Sequence, residues 1–174
     1  EIIPYLSVEE NLMLGMESAV ERISAAIANQ EKIMVYGDYD VDGTTSVALV
    51  FSYITSFYPH CSFYIPDRYE EGYGISKKGI DHAKKESISL IIALDCGIRA
   101  LDNVKYASEL GIDFIICDHH LPGAKIPDAV AVLDPKQNNC NYPFKDLCGC
   151  GIGFKLIQAL TQHRGLPLET TLNY

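Results

Sequence analysis

The hydrophobic and polar positions of this sequence follow two patterns that alternate along the chain. Residues 16–29 carry apolar side chains at spacings of three and four residues, which is typical of an amphipathic helix. Later runs are short and apolar at nearly every position, which is typical of strands buried on both faces of a sheet. The predicted helices are 16–29, 44–57, 76–85, 100–110 and 151–163, and the predicted strands are 33–37, 61–65, 88–94, 112–117 and 129–133.

The order of these elements predicts an α/β fold. After the first helix, strands and helices mostly alternate, and a long polar loop at 135–148 precedes the last helix. Strands that are apolar on both faces indicate a parallel, doubly wound sheet of about five strands with helices on both faces. In such sheets ligands bind beyond the carboxyl ends of the strands, so the chemistry is expected there.

Length and composition are those of one ordinary globular domain. The 174 residues suffice for a hydrophobic core, since chains of this size bury roughly 70% of their unfolded surface. No run reaches the roughly 18 apolar residues of a membrane span, so no membrane partner is expected. The first residues carry no basic segment of the kind that opens a signal peptide, and we expect a cytoplasmic protein.

The net charge of −9 limits the kinds of partner that this domain can bind over its whole surface. It argues against a nucleic-acid-binding surface spread over the entire domain, because such surfaces are basic. It does not argue against an enzyme that acts on nucleic acid, since clustered catalytic carboxylates count as negative until metal ions fill them.

The most informative segment is 38–43, which reads Asp-Tyr-Asp-Val-Asp-Gly and follows directly on the strand 33–37. Its three carboxylates are Asp38, Asp40 and Asp42. Like charges this close raise one another's pKa, or they hold cations. A metal site at the carboxyl end of this strand is therefore the first hypothesis.

Two further strand ends carry residues that bind metals. Asp95 follows the strand 88–94, and the triplet 118–120, Asp-His-His, follows the strand 112–117. Because the carboxyl ends of parallel strands meet at one edge of a sheet, five Asp and two His would gather there. Carboxylate and imidazole together suit Mn²⁺, Fe²⁺ or Zn²⁺ better than Ca²⁺.

Two other interpretations of segment 38–43 are weaker. An EF-hand calcium loop opens in the same way, but it needs a bidentate Glu at its twelfth position, which here is Leu49. Asp42 could instead be only the N-cap of the helix 44–57. The coincidence of three polar strand ends favours the metal site over a capping role for Asp42.

The loop 66–74 is a candidate substrate contact. Arg68 has the fork geometry that binds phosphate, and Tyr69 or Tyr73 could stack on a base. A surface loop tied down by buried tyrosine rings explains the same residues equally well.

Two other features have simpler explanations. The segment 149–154, Gly-Cys-Gly-Ile-Gly-Phe, begins like a dinucleotide fingerprint but has Phe at the sixth position. A tight turn around Gly151, with backbone N–H groups open to an anion, is favoured over a nucleotide loop. Asp134 precedes Pro135 at a strand end and is interpreted as a turn former.

Together these segments resemble the DHH phosphoesterases, and within that family its single-strand-specific DNA exonucleases. The triplet 118–120 provides the Asp-His-His signature, with segment 38–43 upstream and Asp95 between them. The resemblance is carried by residues 35–43, 65–76, 94–98, 117–121 and 147–156. It therefore covers most of the chain.

The resemblance implies two divalent ions, Mn²⁺ or Mg²⁺, in a complete site. By position in the family's motifs, the metal ligands would be Asp40, Asp42, Asp95 and His119. Asp38 matches a further acidic position and would orient or deprotonate the attacking water. His120 would face the scissile phosphate and donate to one of its oxygens.

The resemblance also implies further parts of the protein. The family's fourth motif, with another metal-binding Asp, follows the last predicted helix, and the sequence reaches Tyr174 without it. The sequence also contains neither the DHH-associated C-terminal domain nor the oligonucleotide-binding fold. We therefore expect residues 1–174 to be a truncated first catalytic subdomain that binds metal weakly and is inactive alone.

The implied activity is 5′→3′ hydrolysis of single-stranded DNA in recombination and repair. Single-stranded DNA, a single-stranded-DNA-binding protein and a helicase would be its partners. Other members of the family act on short oligonucleotides, cyclic dinucleotides or pyrophosphate, and some relatives are noncatalytic nucleic-acid-binding scaffolds. Every ligand of the first three motifs is present here, which speaks against a noncatalytic scaffold.

Overall fold

The computed structural model describes residues 13–174 and confirms the α/β fold. Its helices are α1 (Met16–Ala28), α2 (Val41–Thr55), α3 (Lys77–Lys85), α4 (Leu101–Glu109) and α5 (Gly149–His163). Its strands are β1 (Lys32–Gly37), β2 (Cys61–Tyr64), β3 (Ile88–Leu94), β4 (Asp113–Cys117) and β5 (Ala131–Leu133). A short 3₁₀ helix at Leu168–Asn173, which the sequence pattern did not predict, follows α5.

The five strands form one parallel sheet in the order β2-β1-β3-β4-β5. The chain moves outward from β1 to β2 on one side and then from β3 to β5 on the other. The strand order therefore reverses between β1 and β3, and in doubly wound sheets this is the place where a crevice opens beyond the strand ends.

Two hydrophobic cores explain why the strands are apolar at nearly every position. Along β1, Ile33 and Val35 face one core, which α1, α2 and α5 cover, while Met34 and Tyr36 face the other, which α3 and α4 cover. All four side chains are at most 1% exposed. A strand covered on both faces has no solvent side, so its sequence loses the polar–apolar alternation.

Two helices begin earlier than their sequence pattern predicted. Helix α2 begins at Val41, because the side chain of Asp40 caps it by accepting a hydrogen bond from the Gly43 amide at 2.9 Å. Asp42 therefore lies in the first turn, and the alternative of an N-cap role for Asp42 is wrong. Helix α5 begins at Gly149, where two glycines in the first turn had suggested a loop.

The other boundaries lie within two residues of those predicted. Ser76 is the N-cap of α3, as expected, and accepts a hydrogen bond from the Gly79 amide at 2.9 Å. Residues 135–148 contain no helix or strand. Among residues 13–174, no helix combines the length and the apolar character needed to cross a membrane.

Candidate metal centre

Four neighbouring strands end in register, and each is followed by an aspartate. Gly37 pairs with Leu94, Leu94 with Cys117, and Cys117 with Leu133. The residues that come next are Asp38, Asp95, Asp118 and Asp134, and each is at most 1% exposed. This edge of the sheet thus carries a row of buried carboxyl groups, which is unfavourable unless hydrogen bonds, protons or cations compensate the charge.

Asp38 lies at the end of β1 with only part of its carboxylate satisfied. Its Oδ1 accepts a hydrogen bond from the Tyr39 amide at 2.8 Å, while its buried Oδ2 has no partner in residues 13–174. Burial raises the pKa of Asp38, and the nearby charge of Asp40 raises it further. Gly43 makes this turn possible, because a Cβ at that position would lie 2.5 Å from the Asp38 carbonyl oxygen.

The carboxylate of Asp42 joins the start of α2 to the start of α5. It accepts hydrogen bonds from the amides of Gly149 at 2.7 Å and Cys150 at 2.8 Å. Amides in the first turn of a helix have no acceptor within the helix, so Asp42 satisfies these two, and its negative charge is favoured at the helix N-terminus. A carboxylate has further lone pairs for a metal ion, and Asp42 Oδ2 lies 3.8 Å from His119 Nε2.

Asp95 is held in a strained and crowded position. Its backbone has φ +60°, in the left-handed region that residues other than glycine seldom adopt. Its Oδ1 lies 3.1 Å from His119 Nε2 but forms no hydrogen bond within the described residues. A Cβ on Gly149 would lie 2.6 Å from that oxygen, so the approach of α5 requires glycine there.

The charges around Asp95 and His119 favour a cation between them. Burial, followed by the repulsion of Asp42 and Asp40, raises the pKa of Asp95 to about 8. Burial lowers the pKa of His119, which keeps its imidazole neutral and able to coordinate a metal. A divalent cation beside Asp95 would stabilise its ionised carboxylate and so lower its pKa.

Asp118 fixes the geometry of the two histidines. Its Oδ1 accepts hydrogen bonds from the amides of His119 at 2.7 Å and His120 at 3.2 Å, and it lies 2.7 Å from His120 Nδ1. Its Oδ2 accepts a hydrogen bond from the Ile98 amide at 2.9 Å. The far nitrogen of His120, Nε2, lies 3.1 Å from the hydroxyl of Tyr73. The sequence placed Asp118 in the cluster but gave it no role of its own.

These residues fit a divalent metal ion. Ligand atoms of Asp95, His119 and His120 lie within 4.8 Å of one another, and Asp42 approaches the same imidazole of His119. The unpartnered, buried Oδ1 of Asp95 is the kind of oxygen that a metal ion satisfies. The mixed carboxylate and imidazole set suits Mn²⁺.

The structure places the other predicted residues at different distances from this centre. Tyr73 contacts His120, and its ring meets the edge of Tyr39 with centroids 6.3 Å apart. The guanidinium of Arg68 lies over the Tyr39 ring, 5.4 Å from its centroid. The amide of Gly151 donates to the Cys148 thiol at 3.4 Å, so the amides at this helix start that bind an anion belong to the two preceding residues.

Sequence reasoning interpreted Asp134 as a turn former and did not include its carboxyl group in the site. Its Oδ1 accepts from the Lys136 amide at 2.7 Å, which is the predicted turn, but its Oδ2 is buried without a partner in the described chain. Burial raises its pKa to about 6, and the charge of Asp118 raises it further. Its position directly after a predicted apolar strand, like those of Asp38, Asp95 and Asp118, was the signal that could have linked it to the site.

Comparison with known proteins agrees with the geometry. Residues 32–173 match the family model described as the DHH family, N-terminal domain. The chain belongs to the DHH family. Among curated relatives in this family, it is 49% identical over 148 residues to the single-stranded-DNA-specific exonuclease RecJ of Bacillus subtilis (strain 168), covering 85% of this chain and 19% of that protein.

Other members of the DHH family give the same picture. The chain is 41% identical to the single-stranded-DNA-specific exonuclease RecJ of Escherichia coli (strain K12), covering 84% of this chain and 26% of that protein. It superposes on a crystal structure of exonuclease RecJ bound to manganese with a TM-score of 0.78 and 31% identity, covering 89% of this chain and 39% of that one. The chain thus spans about a fifth to a quarter of the length of these curated relatives.

Proposed function

We propose that this chain is the metal-binding domain of a single-stranded-DNA-specific exonuclease that hydrolyses phosphodiester bonds. The observation that carries the proposal is the cluster at the strand ends, where Asp95 Oδ1 lies 3.1 Å from the His119 imidazole and the Asp95 carboxyl has no Lys or Arg partner within residues 13–174. The identity to exonucleases of this name adds the substrate class.

The proposed metal ligands are those that the family motifs implied. They are Asp40, Asp42, Asp95 and His119, and the ions would be Mn²⁺ or Mg²⁺, two in a complete site. When bound, such ions lower the pKa of a water and neutralise charge that develops on the phosphate and the leaving oxygen. The protein's contribution is to hold these ligands rigidly through α2, α5 and the ends of β3 and β4.

Two residues would act directly on the reacting groups. Asp38 has a buried, unpartnered oxygen and a raised pKa, and we assign it to orient the attacking water and accept its proton. His120 would donate from Nε2 to a phosphate oxygen, with its Nδ1 positioned 2.7 Å from Asp118 Oδ1. The hydroxyl of Tyr73, now 3.1 Å from that Nε2, would yield its place to the substrate.

The finer functional assignments are proposals of the same kind. The chain would form the first catalytic subdomain of a longer protein, because it spans 19% of its Bacillus subtilis relative. By family resemblance, this protein would degrade DNA from the 5′ end in recombination and repair, in the cytoplasm, together with a single-stranded-DNA-binding protein and a helicase.

The test is Mn²⁺-dependent degradation of a labelled single-stranded oligonucleotide by the longer protein that carries this chain. Asp40→Ala and Asp95→Ala should each lower the rate by at least 100-fold while circular dichroism shows an intact fold, because each removes a metal ligand. Asp102→Ala, an exposed acidic residue on α4, is the matched control and should keep full activity.

The outcomes separate this function from others that use the same motifs. Full activity in both ligand variants would sink the metal assignment. Cleavage of di- and trinucleotides or cyclic dinucleotides, with longer strands left intact, would instead indicate a phosphodiesterase for short substrates. End-labelled strands report the direction of degradation, and a duplex of the same sequence reports strand preference.

A further inference from the structure

A cleft of about 620 Å³ opens beside the candidate metal centre, lined by residues that follow β3 and β4. His119 and His120 form one wall, so the cleft is continuous with the proposed site of hydrolysis. The residues that give it its chemistry are Ile75, Ile98, Arg99, Leu121 and Lys136. Its volume lies within the roughly 300–1,000 Å³ range of small-molecule and cofactor sites.

Two cations line this cleft in a chain whose net charge is −9. The Nε of Arg99 donates to the Leu121 carbonyl at 2.8 Å, which fixes the guanidinium against the loop that follows the histidines. Lys136 is held by its backbone amide, which donates to Asp134. Within residues 13–174, neither head group is paired with a carboxylate.

The position of Lys136 links the cleft to the metal centre. Lys136 lines the same cleft as His119 and His120, so its side chain and the two imidazoles face one space. The charge of Lys136 also opposes the rise in the pKa of Asp134. A cation within electrostatic reach of His119 can also bind an anionic group that sits next to the metal.

Apolar groups complete the cleft. Ile75 and Ile98 form a buried surface, with 7% and 1% exposure. Leu121 is 65% exposed directly after the two histidines, and Tyr73, which also lines the cleft, is 57% exposed. Surfaces that bind single strands combine cations for the backbone with apolar and aromatic groups for the bases.

We propose that this cleft binds one nucleotide of the DNA strand next to the scissile phosphate, with Arg99 and Lys136 on its phosphate and the apolar surface against its sugar and base. This rests on the proposed function, which it extends by naming the path of the strand away from the metals. The path would run past His120 toward the ends of β4 and β5.

The test compares Lys136→Ala and Arg99→Gln with the unchanged longer protein, using a labelled single-stranded oligonucleotide and Mn²⁺. Each variant should raise KM about tenfold, the loss of one charge-assisted hydrogen bond, with kcat within about twofold. Each should also make the dependence of log(kcat/KM) on log[NaCl] shallower by roughly 0.7, the contribution of one phosphate contact to a single strand.

Controls separate binding from folding. Lys105→Ala removes an exposed lysine of α4 that does not line the cleft, and KM and the salt slope should stay unchanged. The side chain of Lys136 makes no hydrogen bond or ion pair in the described chain, so its removal leaves the fold intact. Lys136→Arg should restore the salt slope.

The results distinguish this assignment from the proposed function. If the unchanged protein degrades single strands but both variants keep its KM and salt slope, the cleft does not bind the strand and the proposed function stands. If the unchanged protein does not cleave single strands with Mn²⁺, both the proposed function and this subsite are overturned.

Discussion

At the scale of single residues, the metal centre is built from carboxyl groups whose charge the polypeptide does not balance. Asp38, Asp95, Asp118 and Asp134 are all at most 1% exposed, yet they are stabilised in different ways. Asp118 is saturated with hydrogen bonds from the backbone and from His120. Asp38, Asp95 and Asp134 each keep one oxygen without a hydrogen bond in the described residues, and such oxygens favour protons or cations.

The raised pKa of Asp95 gives a prediction about metal-free stability. The folded pKa of Asp95, about 8, exceeds the unfolded value of 3.8. The contribution of Asp95 to the free energy of unfolding is therefore fully present below pH about 4 and is lost as pH rises through 8. In EDTA, the unfolding free energy of the unchanged chain should therefore fall, relative to Asp95→Asn, between pH 4 and pH 8. Urea denaturation at several pH values measures this difference.

A matched variant makes the pH test specific. Asp102→Asn alters an exposed carboxyl group on α4, and its stability should follow the unchanged chain at every pH. Parallel pH curves for the unchanged chain and Asp95→Asn would show that the Asp95 carboxyl is not perturbed in the folded state.

At the scale of residues, the sequence indicated which residues belong to the candidate site but not the structural role of each. Residues that bind metal in the family could be located by motif, since Asp and His at strand ends are visible in the sequence. The role of Asp118 could not, because it depends on where the Ile98 amide points, 20 residues earlier in the chain. Whether each predicted ligand binds metal stays a prediction that the variants above address.

At the scale of secondary structure, the starts of two helices position the site. Asp40 caps α2, and Asp42, in its first turn, accepts from the first two amides of α5. Each helix start therefore supplies partial positive charge next to carboxylates that are proposed metal ligands. Gly43 and Gly149 are needed at these helix starts, because a Cβ atom would lie 2.5 Å from the Asp38 carbonyl oxygen at the first position and 2.6 Å from Asp95 Oδ1 at the second.

Gly149→Ala is the variant that tests the packing of α5 against the site. Its new Cβ would lie 2.6 Å from Asp95 Oδ1, so α5 must shift and its amide bonds to Asp42 must lengthen. We expect at least tenfold weaker Mn²⁺ binding by calorimetry and a loss of about 1–3 kcal/mol in unfolding free energy.

Gly123→Ala is the control for a glycine substitution outside the site. Its Cβ would have only the Lys125 carbonyl within 4 Å, at 3.5 Å, so binding and stability should stay close to those of the unchanged chain. Equal Mn²⁺ affinity in Gly149→Ala and the unchanged chain would contradict the proposed dependence of the site on this helix start.

At the scale of the whole molecule, the parallel sheet brings distant segments to one edge. The Asp42 carboxylate and the Gly149 amide that it binds are 107 residues apart. The candidate metal centre therefore forms only when the sheet and the helical layer that contains α2 and α5 are in place. Binding of a metal to the folded chain alone must stabilise the whole domain.

This coupling predicts a metal-dependent melting temperature. Mn²⁺ at about 100 times its Kd should add roughly 2.7 kcal/mol and raise the midpoint of unfolding by about 5–10 °C for a domain of this size. EDTA should reverse the shift, because it removes the ligand that binds only the folded state. Differential scanning calorimetry of the chain with and without Mn²⁺ makes the measurement.

Asp95→Ala is the control for specific binding. It should melt at the same temperature with and without Mn²⁺, because it lacks the central ligand. If Mn²⁺ does not change the midpoint temperature of unfolding of the unchanged chain, the folded domain does not bind the ion at these concentrations.

The sequence by itself determined the class of fold and the position of the candidate chemistry. Strands covered on both faces must be apolar at every position, and amphipathic helices must repeat every three to four residues, so local pattern carries both. Parallel strands also end at one edge, which places Asp38, Asp95 and the triplet 118–120 near one another without any knowledge of the contacts.

Only the tertiary structure decided how those residues are held and what lies beside them. The register that aligns Asp134 with Asp118, the meeting of Asp42 with α5, and the cleft that Arg99 and Lys136 share are contacts between distant segments. Local sequence propensity does not predict these contacts, because they depend on how two helical layers pack on one sheet. The same packing buries the carboxyl groups, and burial is the main cause of the raised pKa of Asp95.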